Sequence, residues 1–263
     1  MAHMIQHIIE PTHLFLAWQA PDGHPSGRSR KKVADLLPGK EGSITLHYLT
    51  ETEDFKAAMQ AGFTGYPAFP LDQNDYQSGV LEIFMRRLPP RKRRDYGDFL
   101  RRWRIDPASR ISPLALLGYA GAQLPGDGFS LVHPFDNGTP PFELLEEIAG
   151  FRHQQNASQL LATLHEGQEV ELHLDPNNPY DPNAIRIELP DQRVIGYINR
   201  LQAPALRQWI DHPGVRGTID RINGTTPRPL VYVFLEIGII PTSRACRCDR
   251  CLCASPTGDV LSR

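Results

Sequence analysis

The second half of the chain carries a clear two-residue rhythm. Val170, Leu172 and Leu174 alternate with polar residues, as do Ile185, Ile187 and Leu189, and then Ile195 and Tyr197. Such alternation marks strands with one buried face. Two further strands are expected over 215–222 and 230–237, the second with Val231, Val233, Leu235 and Ile237 on one face. A helix is expected over 203–210, and another over 157–164, where Leu160, Leu161 and Leu164 share a face and Gly167 stops it. Mostly antiparallel strands with one crossing helix predict a small, partly open β-barrel over residues 145–241.

The first half mixes the two periods. Strands are expected at 14–18, at 44–48 (Ile44, Leu46 and Tyr48 alternating) and at 129–132. Helices are expected at 53–60, ending at Gly62, and at 80–87, ended by Pro89-Pro90. A third spans 92–103, with Tyr96, Phe99, Leu100 and Trp103 on one face and arginines opposite. A fourth spans 112–118, with Ser112 as N-cap, Pro113 at its first position and Gly118 as terminator. Tyr66-Pro-Ala-Phe-Pro70 reads as extended, because a residue before proline is pushed out of the helical region. Turn formers from Pro134 to Pro141 make 136–144 a linker, with 142–149 a short helix or more linker. The fold class is therefore α+β: a lead segment at 1–11, a mixed α/β domain at 12–135, the barrel, and a tail at 242–263.

Composition changes this picture in three places. The 24 prolines favour short elements joined by turns over long bundles. No apolar run approaches the roughly 20 residues that span a bilayer, and Met1-Ala-His-Met4 lacks a signal peptide's basic and apolar regions, so the expectation is a cytoplasmic protein without a membrane partner. The formal net charge of −2 hides a local excess: nine basic residues between Arg86 and Arg104 against Asp95 and Asp98. Within it Arg91, Lys92, Arg93 and Arg94 form a candidate phosphate track, the alternative being a solvated helix face. Arg28, Arg30, Lys31 and Lys32 form a smaller basic cluster upstream.

The most distinctive segment is Asp175-Pro-Asn-Asn-Pro-Tyr-Asp-Pro-Asn183, between two expected strands. Three prolines stiffen it, and its Asn and Asp side chains can bond their own backbone. It presents Tyr180 and Asp181 at low entropic cost, which suits a binding site and a structural turn equally.

Asn177-Asn-Pro-Tyr-Asp-Pro-Asn-Ala-Ile185, followed by Ile195-Gly-Tyr197 and preceded by Gly150-Phe-Arg152 and Gly167, resembles the signature of the HIRAN family. The resemblance implies an OB-like barrel that grips the 3′ end of single-stranded DNA. It implies that Tyr180 stacks on the terminal base, a contact worth roughly 1–3 kcal/mol. Asp181 would accept a hydrogen bond from a free 3′-hydroxyl and repel a 3′-phosphate. Arg152 and Arg200 would contact phosphate or base, with Asn178 and Tyr197 completing the site. His153 departs from the pattern, because the family often has tyrosine there. An imidazole offers a weaker stacking surface than a phenol ring, and one sensitive to pH.

In the first half, Val80-Leu-Glu-Ile-Phe84, Arg87-Leu-Pro-Pro90, Leu114-Ala-Leu-Leu-Gly118 and Gly121-Ala-Gln occur in an order that resembles the N-terminal subdomain of HipA-type kinases. That implies a domain for docking a protein partner. Cys246, Cys248, Cys251 and Cys253 offer four thiolates to Zn²⁺ in C-x-C-x₂-C-x-C spacing, or else form a redox-sensitive tail. No phosphate-binding loop, H-E-x-x-H or G-x-S-x-G motif is present, so no catalytic residue and no other cofactor is expected. The expected function is non-catalytic binding of single-stranded DNA or DNA ends. The alternatives are a protein–protein adaptor in a toxin–antitoxin or phage-defence setting and a metal-dependent nuclease using Asp175 and Asp181.

Overall fold

A computed structural model describes residues 3–239 apart from 26–28, 125, 211–213 and 226–227. Two antiparallel sheets organise it. The first runs in the order β4-β3-β2-β1-β5, from β1 (Leu14–Trp18), β2 (Lys31–Pro38), β3 (Ile44–Tyr48), β4 (Asp75–Tyr76) and β5 (Phe129–Val132). Helices α1 (Glu53–Gln60), α2 (Val80–Met85) and α4 (Pro113–Ala120) pack on one face. Ala17 and Val132 on the other face pack with Leu201 of the second half.

Strand β2 escapes the alternation rule for a visible reason. A bulge between Leu16 and Ala17 shifts its register, so the neighbours Val33 and Ala34 are both buried. Helix α4 starts as expected, with the Ser112 hydroxyl accepting from the Ala115 N–H and Pro113 in the first turn. It ends at Gly121, in the left-handed region at φ +66, and not at Gly118. Gly118 is instead interior, where a Cβ would come 2.8 Å from Leu14 Cδ2. Residues 66–70 are not extended: Tyr66 and Phe69 close a tight turn, with the Phe69 N–H on the Tyr66 carbonyl at 2.8 Å. The Tyr48 hydroxyl locks it, donating to the Phe69 carbonyl and accepting from the Tyr66 N–H.

The second sheet runs β6-β11-β10-β7-β8-β9, from β6 (Phe142–Glu147), β7 (Glu169–Leu174), β8 (Ile185–Glu188), β9 (Val194–Tyr197), β10 (Arg216–Thr225) and β11 (Arg228–Ile237). It curls until Ala149, just past β6, bridges Tyr197 of β9. Helices α5 (Ala157–Thr163) and α6 (Ala203–Ile210) complete this half.

Two expectations fail here. Residues 142–147 form neither helix nor linker but a strand paired along β11. Glu143 is buried within it because its carboxylate accepts the Gln6 and His7 N–H groups, at 3.0 and 2.9 Å. For the same reason residues 5–11 are not a loose lead: Ile5 is buried and its N–H bonds the Arg104 carbonyl at 2.7 Å. The halves share one continuous apolar core.

Candidate nucleic-acid site

The segment between β7 and β8 folds around its own side chains. The Asn178 side-chain Oδ1 accepts from the Tyr180 and Asp181 N–H groups, at 3.0 and 3.3 Å. The Asp181 carboxylate accepts from the Asn183 N–H at 2.8 Å. Backbone bonds from Asp175 N to Ala184 O and from Ala184 N to Asp181 O close the base. With its backbone groups satisfied, the loop needs no core of its own, and Tyr180 stands 94% exposed at its tip. A tyrosine ring held in water by a stiffened loop forgoes the stabilisation that burial would bring and leaves both faces open to stacking.

Asp175 ties the loop to the sheet. Its carboxylate accepts from Asn178 Nδ2 at 3.2 Å and from the Tyr197 hydroxyl at 3.4 Å, and lies 3.9 Å from Arg186 Nη1. Burial and the Asp175 charge push the Tyr197 phenol above its ordinary pKa, so the hydroxyl stays a donor. Tyr197 in turn exchanges both backbone bonds with Ala149, at 2.8 and 2.9 Å. This juxtaposes the Gly150-Phe-Arg152-His153 turn and the loop. Gly196 permits the approach: its φ is +145, and a Cβ there would collide with Ile148 Cγ2 and stand 2.6 Å from the Ala149 carbonyl oxygen.

Residues 143–229 match the model of the HIRAN domain. Among solved structures, the HIRAN domain of human HLTF is 23% identical over 36% of this chain and 74% of its own, with a TM-score of 0.30. A protein from Lactobacillus plantarum is 23% identical over 36% of this chain and 92% of its own, with a TM-score of 0.32. The HLTF HIRAN domain in its DNA-bound conformation is 25% identical over 35% of this chain and 74% of its own, with a TM-score of 0.27. No curated protein matches the chain.

Within the matched region Asn178, Tyr180 and Asp181 share one self-bonded loop and Tyr197 bonds Asp175 at its base, while Arg152 and His153 lie on the turn that follows Ala149, the backbone partner of Tyr197. Arg152 and His153 are exposed side by side, with Arg152 Nε 3.3 Å from His153 Nε2 and Arg152 Nη2 3.9 Å from Asp22. Arg200 is not simply free for phosphate. Its Nη1 contacts both Asp54 oxygens, at 3.0 and 2.9 Å, and the Arg30 carbonyl at 2.7 Å. Two site-forming residues escaped the reading of the sequence. Arg186 sits opposite Tyr197 in the ladder and could have been found from its place between Ile185 and Ile187. Arg207 donates to Asn183 at 3.2 Å across the fold, and nothing local announces it.

Part of the basic stretch of the first half is committed to local partners. Arg87 is buried and bonds Asp127, Ala122 O and Phe129 O. Arg93 pairs with Asp95 and Arg101 with Asp98. The helix begins only at Tyr96 (α3, Tyr96–Arg102), which leaves Arg91, Lys92, Arg93 and Arg94 exposed in a turn. Beyond α3, Arg104 Nε meets the buried Asp220 at 2.6 Å. Ile219, next to Asp220, bonds Gln168, which precedes β7, whereas Asp175 follows its other end, so this anchor lies at the far end of β7 from the loop.

A separate cavity of about 60 Å³ lies between the halves, lined by Arg30, Trp103, Glu146, Asn199, Gln202 and Tyr232 among others. Burial pushes the Glu146 carboxyl up to about 7. Among the described residues no group of three or more His, Cys, Asp or Glu is arranged to hold a metal ion. Cys246, Cys248, Cys251 and Cys253, the candidate zinc ligands, and Arg28 lie outside the described residues. Among the described residues no helix is long and apolar enough to cross a membrane.

Proposed function

We propose that this protein is a non-catalytic, cytoplasmic binder of single-stranded DNA that recognises 3′ ends through its HIRAN region. The observation that carries the reading is Tyr180: 94% exposed, on a self-bonded loop, with the Asp181 carboxylate beside it. A stacked base and a carboxylate that accepts from a terminal hydroxyl make a chemically coherent end detector. The match to the HIRAN model supports it. The HLTF HIRAN domain has a DNA-bound conformation, which is a property of that protein and the precedent for this one. In this reading the curled sheet is an OB-like barrel, and the HipA-like motif order of the first half marks a docking domain.

The test is fluorescence anisotropy at low salt with a short single strand ending in 3′-hydroxyl. Tyr180→Ala is expected to weaken binding by about 1–3 kcal/mol, and Asp181→Ala to weaken it while leaving duplex binding unchanged. Equal affinity of wild type and both variants would remove the site assignment. No binding at all would favour the protein adaptor, and cleavage of labelled DNA with Mg²⁺ or Mn²⁺ would favour the nuclease.

A further inference from the structure

Both arginines that the HIRAN resemblance assigns to nucleic acid touch carboxylates of the first half. Arg152 lies 3.9 Å from Asp22, which also pairs with Arg228 at 2.8 Å. Arg200 is held more tightly, and by a single nitrogen. Nη1 takes both oxygens of Asp54 and the Arg30 carbonyl, while Nε and Nη2 bond no protein atom among the described residues. The side chain is 39% exposed. A guanidinium fixed at one nitrogen presents its remaining N–H edge in a set direction, which suits a phosphate approached from solvent.

Asp54 is itself fixed. It sits in the first turn of α1, where a carboxylate is favoured, and its Oδ2 accepts the Lys32 N–H at 3.0 Å. Arg200 lies three residues past Tyr197, whose hydroxyl bonds Asp175 at the base of the loop. Arg200 thus follows the base of the loop closely in the chain, whereas the Arg104–Asp220 pair sits beside Gln168, at the opposite end of β7 from Asp175.

We propose that the first half completes the nucleic-acid site, with Asp54 acting as a positioning residue that aims the Arg200 Nε–Nη2 edge at a backbone phosphate beside the Tyr180 loop. The inference rests on the single-strand reading above and gives the first half a part in it. The opposite role is equally definite: a carboxylate that merely competes with phosphate for Arg200 would make its removal tighten binding.

The experiment is a double-mutant cycle on the full chain, with the 3′-hydroxyl single strand titrated at several salt concentrations. Arg200→Ala lowers the slope of log affinity against log salt by about 0.7, the value of one single-strand phosphate contact. Asp54→Ala weakens binding about three- to fivefold, the range of a half-exposed charge pair. Asp54→Asn, which keeps an acceptor, recovers part of that loss. In the Arg200→Ala background, Asp54→Ala has no further effect. Asp54→Ala binding as tightly as wild type or tighter, or weakening binding equally in both backgrounds, would overturn the proposal. If Tyr180→Ala also changes nothing, the single-strand reading fails with it. If Tyr180→Ala weakens binding and the Asp54 result is negative, only the positioning role is lost.

Discussion

Gly196→Ala tests how the site is assembled. Gly196 has φ +145, a region that L-residues rarely adopt, and a Cβ would meet Ile148 Cγ2 and the Ala149 carbonyl oxygen. The backbone strain alone costs about 1–3 kcal/mol. Forcing the seam apart adds about 1–3 kcal/mol, as overpacking does in other cores. The expected loss is therefore about 2–6 kcal/mol, a large part of a typical stability of about 5–15 kcal/mol. Gly62→Ala is the control: its φ is +92, but nothing lies within 4 Å of the added Cβ. It carries the strain without the collision and should cost about 1–2 kcal/mol. Urea unfolding followed by circular dichroism measures both. With a slope of about 3 kcal/mol per molar, a loss of about 3 kcal/mol lowers the midpoint by about 1 M. Equal midpoints for the two variants would refute the claim that close approach of Ala149 to β9 holds the seam.

The pH dependence of stability should contain two opposed contributions. Glu146 is raised by burial to about 7, so the stability it allows is full below its unfolded value and is lost as pH rises towards 7. His133, buried with Nε2 on the Ile9 carbonyl and Nδ1 accepting the Phe135 N–H, is lowered by burial to about 4, so its contribution is full above its unfolded value and is lost as pH falls towards 4. Glu146→Gln should therefore convert a nearly flat profile between about pH 4.5 and 6.5 into one that rises with pH; an unchanged profile would contradict the assignment. Arg104→Ala leaves the buried Asp220 with Arg221, at 3.3 Å, as its one cationic partner among the described residues, and should cost about 2 kcal/mol in urea unfolding. A loss below about 0.5 kcal/mol would place that pair among ordinary surface ion pairs.

Where local pattern decided structure, the sequence was informative. The strands β7, β8 and β9 follow their alternation, and the Ser112-Pro113 start of α4 follows its capping chemistry. The failures share a cause: the deciding partner is distant in sequence. Residues 142–147 read as a short helix or linker because nothing near Glu143 shows that Gln6 and His7 will satisfy its carboxylate. Strand β2 was hidden by a bulge opposite β1. At the site, the loop with Tyr180 and Asp181 was legible because its bonds are local. Arg200 was legible as a basic residue but not as the partner of Asp54, which lies 146 positions away.

The central claim is tested most directly by comparing two single strands of identical sequence, one ending in 3′-hydroxyl and the other in 3′-phosphate. Anisotropy titrations of wild type and Asp181→Ala should show tighter binding of the hydroxyl strand by wild type, and loss of that preference in the variant. Equal affinity of wild type for both ends would contradict 3′-end recognition through this loop.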